Sequence, residues 1–323
     1  LGLNHDICTL FMSNKAISWS IFIVLCLIWG SSFILMKVGS EGLTGTQIAA
    51  LRIFSSGIVF VPFAFMHLKQ IPRHKLKYVC LTGIFGNLLP AFCFAIAISY
   101  IDSSLEGILN SLTPLCVAVI AIVFYGDRIR PVRIAGIVIG FLGLCLLSLL
   151  EDNISLDNYG YALLVVLATF SYGFNVNLVS HHLKDVKPLP MATVSLSLMA
   201  IPSGLVLWWN GFFQLDFSDS VVQWSVFNTL LLGLVGSAFA TVLFYALVQR
   251  AGGLFASLVT YGIPFVALAW GLIDGEPVGW PEAISLPLIL LGVYLARLPD
   301  KKTAEPVPPP SDQLEEKPVV KQT

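Results

Sequence analysis

Lysine and arginine occupy every second gap between the long uncharged runs of this chain, a spacing that both counts membrane spans and orients them. Runs of about twenty apolar residues match the hydrocarbon thickness of a bilayer at the helical rise per residue. Of the 323 residues 56% are hydrophobic and only 11% charged, and the mean hydropathy is +0.84. A soluble globular chain carries about 25% charged residues, so there is too little charge here to cover a soluble surface. The net charge of −1 says little about partners, because opposite signs fall on opposite sides of a membrane. No basic tract interleaved with aromatics occurs, and nucleic acid is not expected as a partner.

The pattern predicts an all-α integral membrane protein of ten transmembrane helices, at about 17–36, 46–67, 78–99, 104–125, 132–150, 158–180, 189–210, 223–248, 253–273 and 280–297. Strands are excluded by run length and by the lack of sustained alternation. Lys15 precedes the first run; Lys69, Arg73, Lys75 and Lys77 fill the second gap, Arg128, Arg130 and Arg133 the fourth, Lys184 and Lys187 the sixth, and Arg250 the eighth. Arg297, Lys301 and Lys302 follow the last run. The intervening gaps carry Glu41, Asp102, Glu151, Asp152, Asp157, Asp216, Asp219, Asp274 and Glu276, with Lys37 as their only basic residue. Both termini are therefore expected in the cytoplasm. The proline-rich, charged stretch 299–323 reads as a disordered cytoplasmic tail. Residues 1–14 read as an N-terminal extension, with Met12 directly before the first run; a cleaved signal peptide is not expected.

Sliding the chain against itself places Gly86, Phe94 and Pro114 on Gly236, Phe244 and Pro264, each 150 positions later. Gly143 falls on Gly292 one deletion later, and Trp29-Gly30 sits opposite Tyr172-Gly173 at a shift of 143. The chain thus divides into five-helix repeats at 15–150 and 151–298. Five is odd, so the second copy is expected to enter the membrane from the opposite side. Inverted repeats are a recurrent plan of secondary transporters; duplication for stability alone is the other reading.

The residues Trp29-Gly30-Ser31-Ser32-Phe33 followed by Lys37, Ala50-Leu51-Arg52-Ile53, Leu112-Thr113-Pro114 and Gly126-Asp127 ahead of Gly140-Phe141-Leu142-Gly143 form an ordered set. Gly262-Ile263-Pro264, Gly275-Glu276-Pro277 and Leu291-Gly292 repeat it in the second half. In this order and spacing the chain resembles the EamA-type transporters of the drug/metabolite transporter superfamily over about residues 15–297. The resemblance implies ten helices, cytoplasmic termini, and export of amino acids or other small metabolites by alternating access. Glu106 is an acid the family pattern does not lead one to expect, and Asp127 stands where many members have Glu.

Polar side chains inside apolar helices are costly, so they mark candidate pathway residues. Arg52, with uncharged flanks from Gly42 to Met66, either meets a substrate or gate or snorkels to the outer interface. Glu106, Asn110 and Pro114 recur at four-residue spacing on one helical face; Glu106 is a candidate counter-charge, proton carrier or solvated carboxylate. Pro114 and Pro264 each remove a backbone donor, which favours a kink beside Thr113, Thr260 and Tyr261. Tyr172, Asn175 and Asn177, Asn87, and Ser237 with Thr241 either bond helix to helix or, as a set, line one cavity, which Trp29 would wall or anchor. The pathway expected is Trp29, Arg52, Asn87, Glu106, Asn110, Pro114, Tyr172, Asn175, Ser237, Thr241, Tyr261 and Pro264.

Gly136, Gly140 and Gly143 read as close helix packing, because no strand precedes them to make a nucleotide fingerprint. The six cysteines show no paired spacing, and His181-His182 has no evident third ligand, so neither metal nor cofactor is expected. The partners expected are a small-molecule substrate, the lipid bilayer and a coupling proton or solute. The function expected is a secondary transporter exporting small metabolites such as amino acids across the inner (plasma) membrane. No nucleophile with a base is visible for an enzyme; a lipid-handling or accessory membrane protein without solute flux is the alternative.

Overall fold

Lipid offers a backbone no water to bond, so a chain of this composition closes its hydrogen bonds within helices. The computed structural model describes residues 2–97, 100, 106, 109–149, 159–273, 280–296 and 298, and every regular element among them is helical. The loop acids Asp102, Glu151, Asp152, Asp157, Asp274 and Glu276, Arg297 and the tail 299–323 lie outside the described residues.

The first four helices are α1 (Gly2–Gly39), α2 (Gly45–Ile58), α3 (Val61–Leu68) and α4 (Leu76–Gly83). A π-helical stretch, Ile84–Leu88, joins α4 to α5 (Leu89–Ala97). Then come α6 (Thr113–Tyr125), α7 (Pro131–Leu149), α8 (Tyr159–His182), α9 (Pro188–Trp209) and α10 (Ser220–Leu231). A second π-helical stretch, Leu232–Phe239, joins α10 to α11 (Ala240–Ala251). The last three are α12 (Gly253–Ser257), α13 (Val259–Ile273) and α14 (Trp280–Ala296).

Among the described residues five stretches are long and apolar enough to cross a membrane: Lys15–Gly39, Arg73–Ala97, Gly160–His182, Pro188–Trp209 and Ser220–Ala251. A sixth, α2 with α3, qualifies only as a pair bent by 58°. The sequence predicts one span there, and Pro62 in the first turn of α3 explains the bend, since it has no N–H to return to Ile58. Thr113–Tyr125, Pro131–Leu146, Gly253–Val266 and Ile284–Ala296 are shorter apolar helices.

Helices α7 and α14 approach closely because glycines face each other where they cross. A methyl group on Gly292 would collide with the backbone of Gly140 and Gly136, and one on Gly143 would press on Ile289 at 3.0 Å. Arg133 Nε donates to the Ala296 carbonyl at 3.1 Å beside the same crossing. At the ends of α8 and α11, Gln249 donates to the carbonyls of Leu183 and Val186. His182 stacks on Tyr78 and His181 on Tyr125, and a His181 ring nitrogen lies 3.2 Å from Asp127. Lys75 pairs with Asp185 and holds that carboxyl below the usual carboxylate range.

Two outcomes follow for stability in detergent. Gly292→Val should lower the unfolding temperature by the equivalent of about 1–3 kcal/mol, the usual cost of overpacking, and an unchanged melting curve would refute the tight crossing. A carboxyl depressed in the folded state stabilises above its unfolded value and loses that contribution as pH falls through the folded value. Asp185→Asn should therefore lower the melting temperature slightly at neutral pH, with the difference from the parent vanishing in acid; the effect is small because the pair is exposed.

Candidate functional site

A π-helical turn widens the helix by one residue and takes a carbonyl off the regular ladder. Both π-helical stretches do this beside the same cavity, a space of about 110 Å³ lined from α1, α2, α5, α6, α8, α11, α12 and α13 as well as from the two stretches themselves. Gly86 and Gly236, which the repeat superposes, lie one in each stretch and both line it.

The Trp29 indole Nε1 donates to the Gly236 carbonyl at 3.0 Å, so a side chain of α1 satisfies the second π-helical stretch. Next to it Arg52 Nε donates to Ser237 Oγ at 2.7 Å. Thr241 Oγ1 donates to Asn87 Oδ1 at 3.1 Å, tying α11 to the first stretch. Gly86 has no side chain because Asn175 fills the place: a methyl there would come within 2.6 Å of the amide.

The Trp29-Gly30 and Tyr172-Gly173 pairs divide their labour in the same way. A methyl at Gly30 would meet Val266 at 2.6 Å, and one at Gly173 would meet Ile120 at 2.8 Å and Cys116 at 3.1 Å, so each glycine seats its helix against α13 or α6. The aromatic neighbour turns to the cavity. Trp29 packs on Phe244 with ring centroids 5.3 Å apart, and Tyr172 packs on Phe94 at 6.0 Å. Phe94 and Phe244 are themselves superposed by the repeat.

Of the twelve residues expected from the sequence, Trp29, Arg52, Asn87, Asn110, Tyr172, Asn175, Ser237 and Thr241 line this cavity. The other four do not. Tyr261 instead donates its hydroxyl to the Ile137 carbonyl at 2.8 Å, with its ring against Gly140. Pro264 sits inside α13. Pro114 stands in the first turn of α6 after a turn at 111–112, so it starts a helix there; the Asn110 carbonyl it leaves free is capped by Thr113 Oγ1 at 2.7 Å. Glu106 is fully buried, and neither carboxylate oxygen has a hydrogen-bond partner. It forms no ion pair with Arg52. Asn177, by contrast, bonds the carbonyls of Val117 and Gly173 and joins α8 to α6.

Phe94, Phe244 and Tyr245 also line the cavity, outside the pathway expected from the sequence. Two signals point to them. The repeat already marks Phe94 and Phe244, and continuing the four-residue spacing of Ser237 and Thr241 reaches Tyr245, whose hydroxyl neighbours Thr82, Ser195 and Asn87.

These elements define a helical membrane protein with a polar, solute-sized cavity between its helices. The model of the EamA-like transporter family matches residues 16–149 and again residues 160–298, and the chain belongs to that family. It is similar to an uncharacterized transporter of Archaeoglobus fulgidus, 25% identical over 283 residues that cover 86% of this chain and 97% of the relative. It is also similar to the uncharacterized inner membrane transporter YedA of Escherichia coli K12, 24% identical over 294 residues (88% and 93%). A probable amino-acid metabolite efflux pump of the same strain is 24% identical over 286 residues (85% and 84%). A crystal structure 16% identical in sequence shares the fold with a TM-score of 0.66 over 86% of this chain and 96% of the other.

Trp29→Phe keeps a ring on Phe244 but removes the donor to Gly236. An unpaired buried carbonyl costs about 1–3 kcal/mol, so the variant should melt measurably lower than the parent; equal stability would show that water replaces the indole without loss.

Proposed function

We propose that this protein is a secondary transporter that exports small polar or amphipathic metabolites, such as amino acids, across the inner membrane by alternating access. In this reading ten spans form two inverted five-helix repeats with both termini in the cytoplasm. The six long stretches and four shorter apolar helices fall on the ten runs predicted from the sequence. The alternation of basic and acidic gaps supplies the orientation. The names of the YedA and efflux-pump relatives favour an inner membrane and export of amino-acid metabolites.

The observation that carries the proposal is the construction of one cavity from repeat-mates. Trp29 with Phe244 and Tyr172 with Phe94 are the same pair taken once from each direction across the two copies. Related halves that share a site have two equivalent ways of closing on it, which is the physical basis of alternating access. The sequence contains no P-loop, so the energy comes from a proton or solute gradient or from the solute's own gradient. Glu106, a fully buried carboxyl, is the residue assigned to coupling.

A second reading, lipid handling, has one observation in its favour. An apolar cleft of about 440 Å³ lies between α1, α13 and α14, lined by Trp19, Phe22, Leu27, Phe265 and Tyr294 among others. The contact of Cys26 Sγ with the Val259 carbonyl, at 3.6 Å, stands between cleft and cavity.

Purified protein in liposomes should move a radiolabelled amino acid or related metabolite. Arg52→Ala or Asn110→Ala should slow that flux by about tenfold or more, the loss of one charge-assisted or buried hydrogen bond, while folded protein is retained. Absence of flux across a broad solute panel, with protein folded and inserted, would sink the transporter reading. Flux indifferent to an imposed pH gradient would remove Glu106 from coupling.

A further inference from the structure

We propose that the solute this cavity selects is a monovalent organic anion, a carboxylate on a small aromatic or apolar body, and that Arg52 reads its charge. The inference deepens the transporter reading and rests on it for what becomes of the bound solute; binding itself is a separate matter.

Among the described residues that line the cavity, Arg52 is the one charged side chain. Among the described residues it forms no ion pair and makes a single hydrogen bond, through Nε to Ser237, so both terminal nitrogens have no partner there. Those two nitrogens belong to a planar fork whose geometry matches a carboxylate bidentately. Arg52 is half-buried, and a partly desolvated charge without a counter-ion is stabilised by pairing with an anion. A monoanion brings the lined space to neutrality. A zwitterion of the same shape leaves one positive charge there, and a cation adds a second.

The remaining hydrogen-bonding capacity is uncharged. Asn87 and Asn175 are 7% and 3% exposed, and among the described lining residues Asn87 Nδ2, Asn110 Oδ1 and Asn175 Oδ1 each lack a partner. The amide donor suits a carboxylate oxygen, and the two amide oxygens can accept from a hydroxyl or from water. Glu106, which could neutralise Arg52 in place of a solute, does not line the space and has no hydrogen-bond partner among the described residues. The body of the solute meets ring faces from two sides, Trp29 with Phe244 and Tyr172 with Phe94. A volume of about 110 Å³ approaches the ~150 Å³ in which an engineered apolar cavity binds benzene. One ring or a short chain therefore fills it.

Three probes share a phenylethyl body and differ in the charged groups on it: 3-phenylpropionate has a carboxylate, phenylalanine a carboxylate and an ammonium, and phenethylamine an ammonium. Binding of each to the purified full-length protein, measured by titration calorimetry, should rank the acid about tenfold or more above phenylalanine and the amine lowest. Arg52→Gln should weaken the acid by about tenfold or more and abolish the ranking. The ranking on the unaltered protein tests the inference even where that variant fails to fold. Phenylalanine or phenethylamine binding as tightly as the acid, or no binding of the acid, would overturn it. Selective binding of the acid without its movement into liposomes would sink the transporter reading and leave the charge selection standing. Flux of amino acids with no preference for the acid would do the reverse.

Discussion

Within lipid a carbonyl that leaves its helix must find another donor, and the polar interior of this protein is organised around that requirement. The two π-helical stretches are where the ladder is interrupted, and the Trp29 indole at Gly236 is the donor that makes one of the interruptions tolerable. Once the second stretch is fixed in this way, Ser237 is presented to Arg52 and Thr241 reaches Asn87. The cavity is therefore a by-product of backbone accounting. Gly86, Asn87, Gly236 and Ser237 come to its lining from the interrupted stretches, and regular helices supply the rest.

Much of the fold was legible in the sequence because the constraint imposed by lipid is one-dimensional: run length and charge are read directly along the chain. What escaped were irregularities within runs. The bend between α2 and α3 and the break at Leu258 leave composition unchanged, so hydropathy passes over both. Pro62 carried a signal for the first, but it lies in an apolar run that reads as continuous. At 104–125 the sequence reads one helix bearing Glu106, Asn110 and Pro114 on one face, whereas a turn at 111–112 separates α6 from the residues before it.

The candidate site was legible where polarity was conspicuous. Asn87, Asn175, Ser237 and Thr241 were found because an amide or hydroxyl in an apolar run is costly unless it has a partner. Tyr261 misled for the same reason: its hydroxyl does have a partner, the Ile137 carbonyl, but in helix packing and away from the cavity. Phe94 and Phe244 show the opposite failure. As apolar residues they carry no signal of their own in a chain that is 56% hydrophobic, and only their superposition in the repeat sets them apart.

The two halves of the repeat are alike in plan and unequal in fastening. Trp29 bonds Gly236, whereas its mate Tyr172 has no indole to offer Gly86, where the Asn175 amide packs instead. In the alternating-access reading proposed above, two identical halves would divide their time evenly between two equivalent shapes. One extra hydrogen bond, about 1 kcal/mol net, tilts such a balance by about fivefold. On that reading the tryptophan is a thumb on the scale, and the exchange it takes part in has a preferred resting posture.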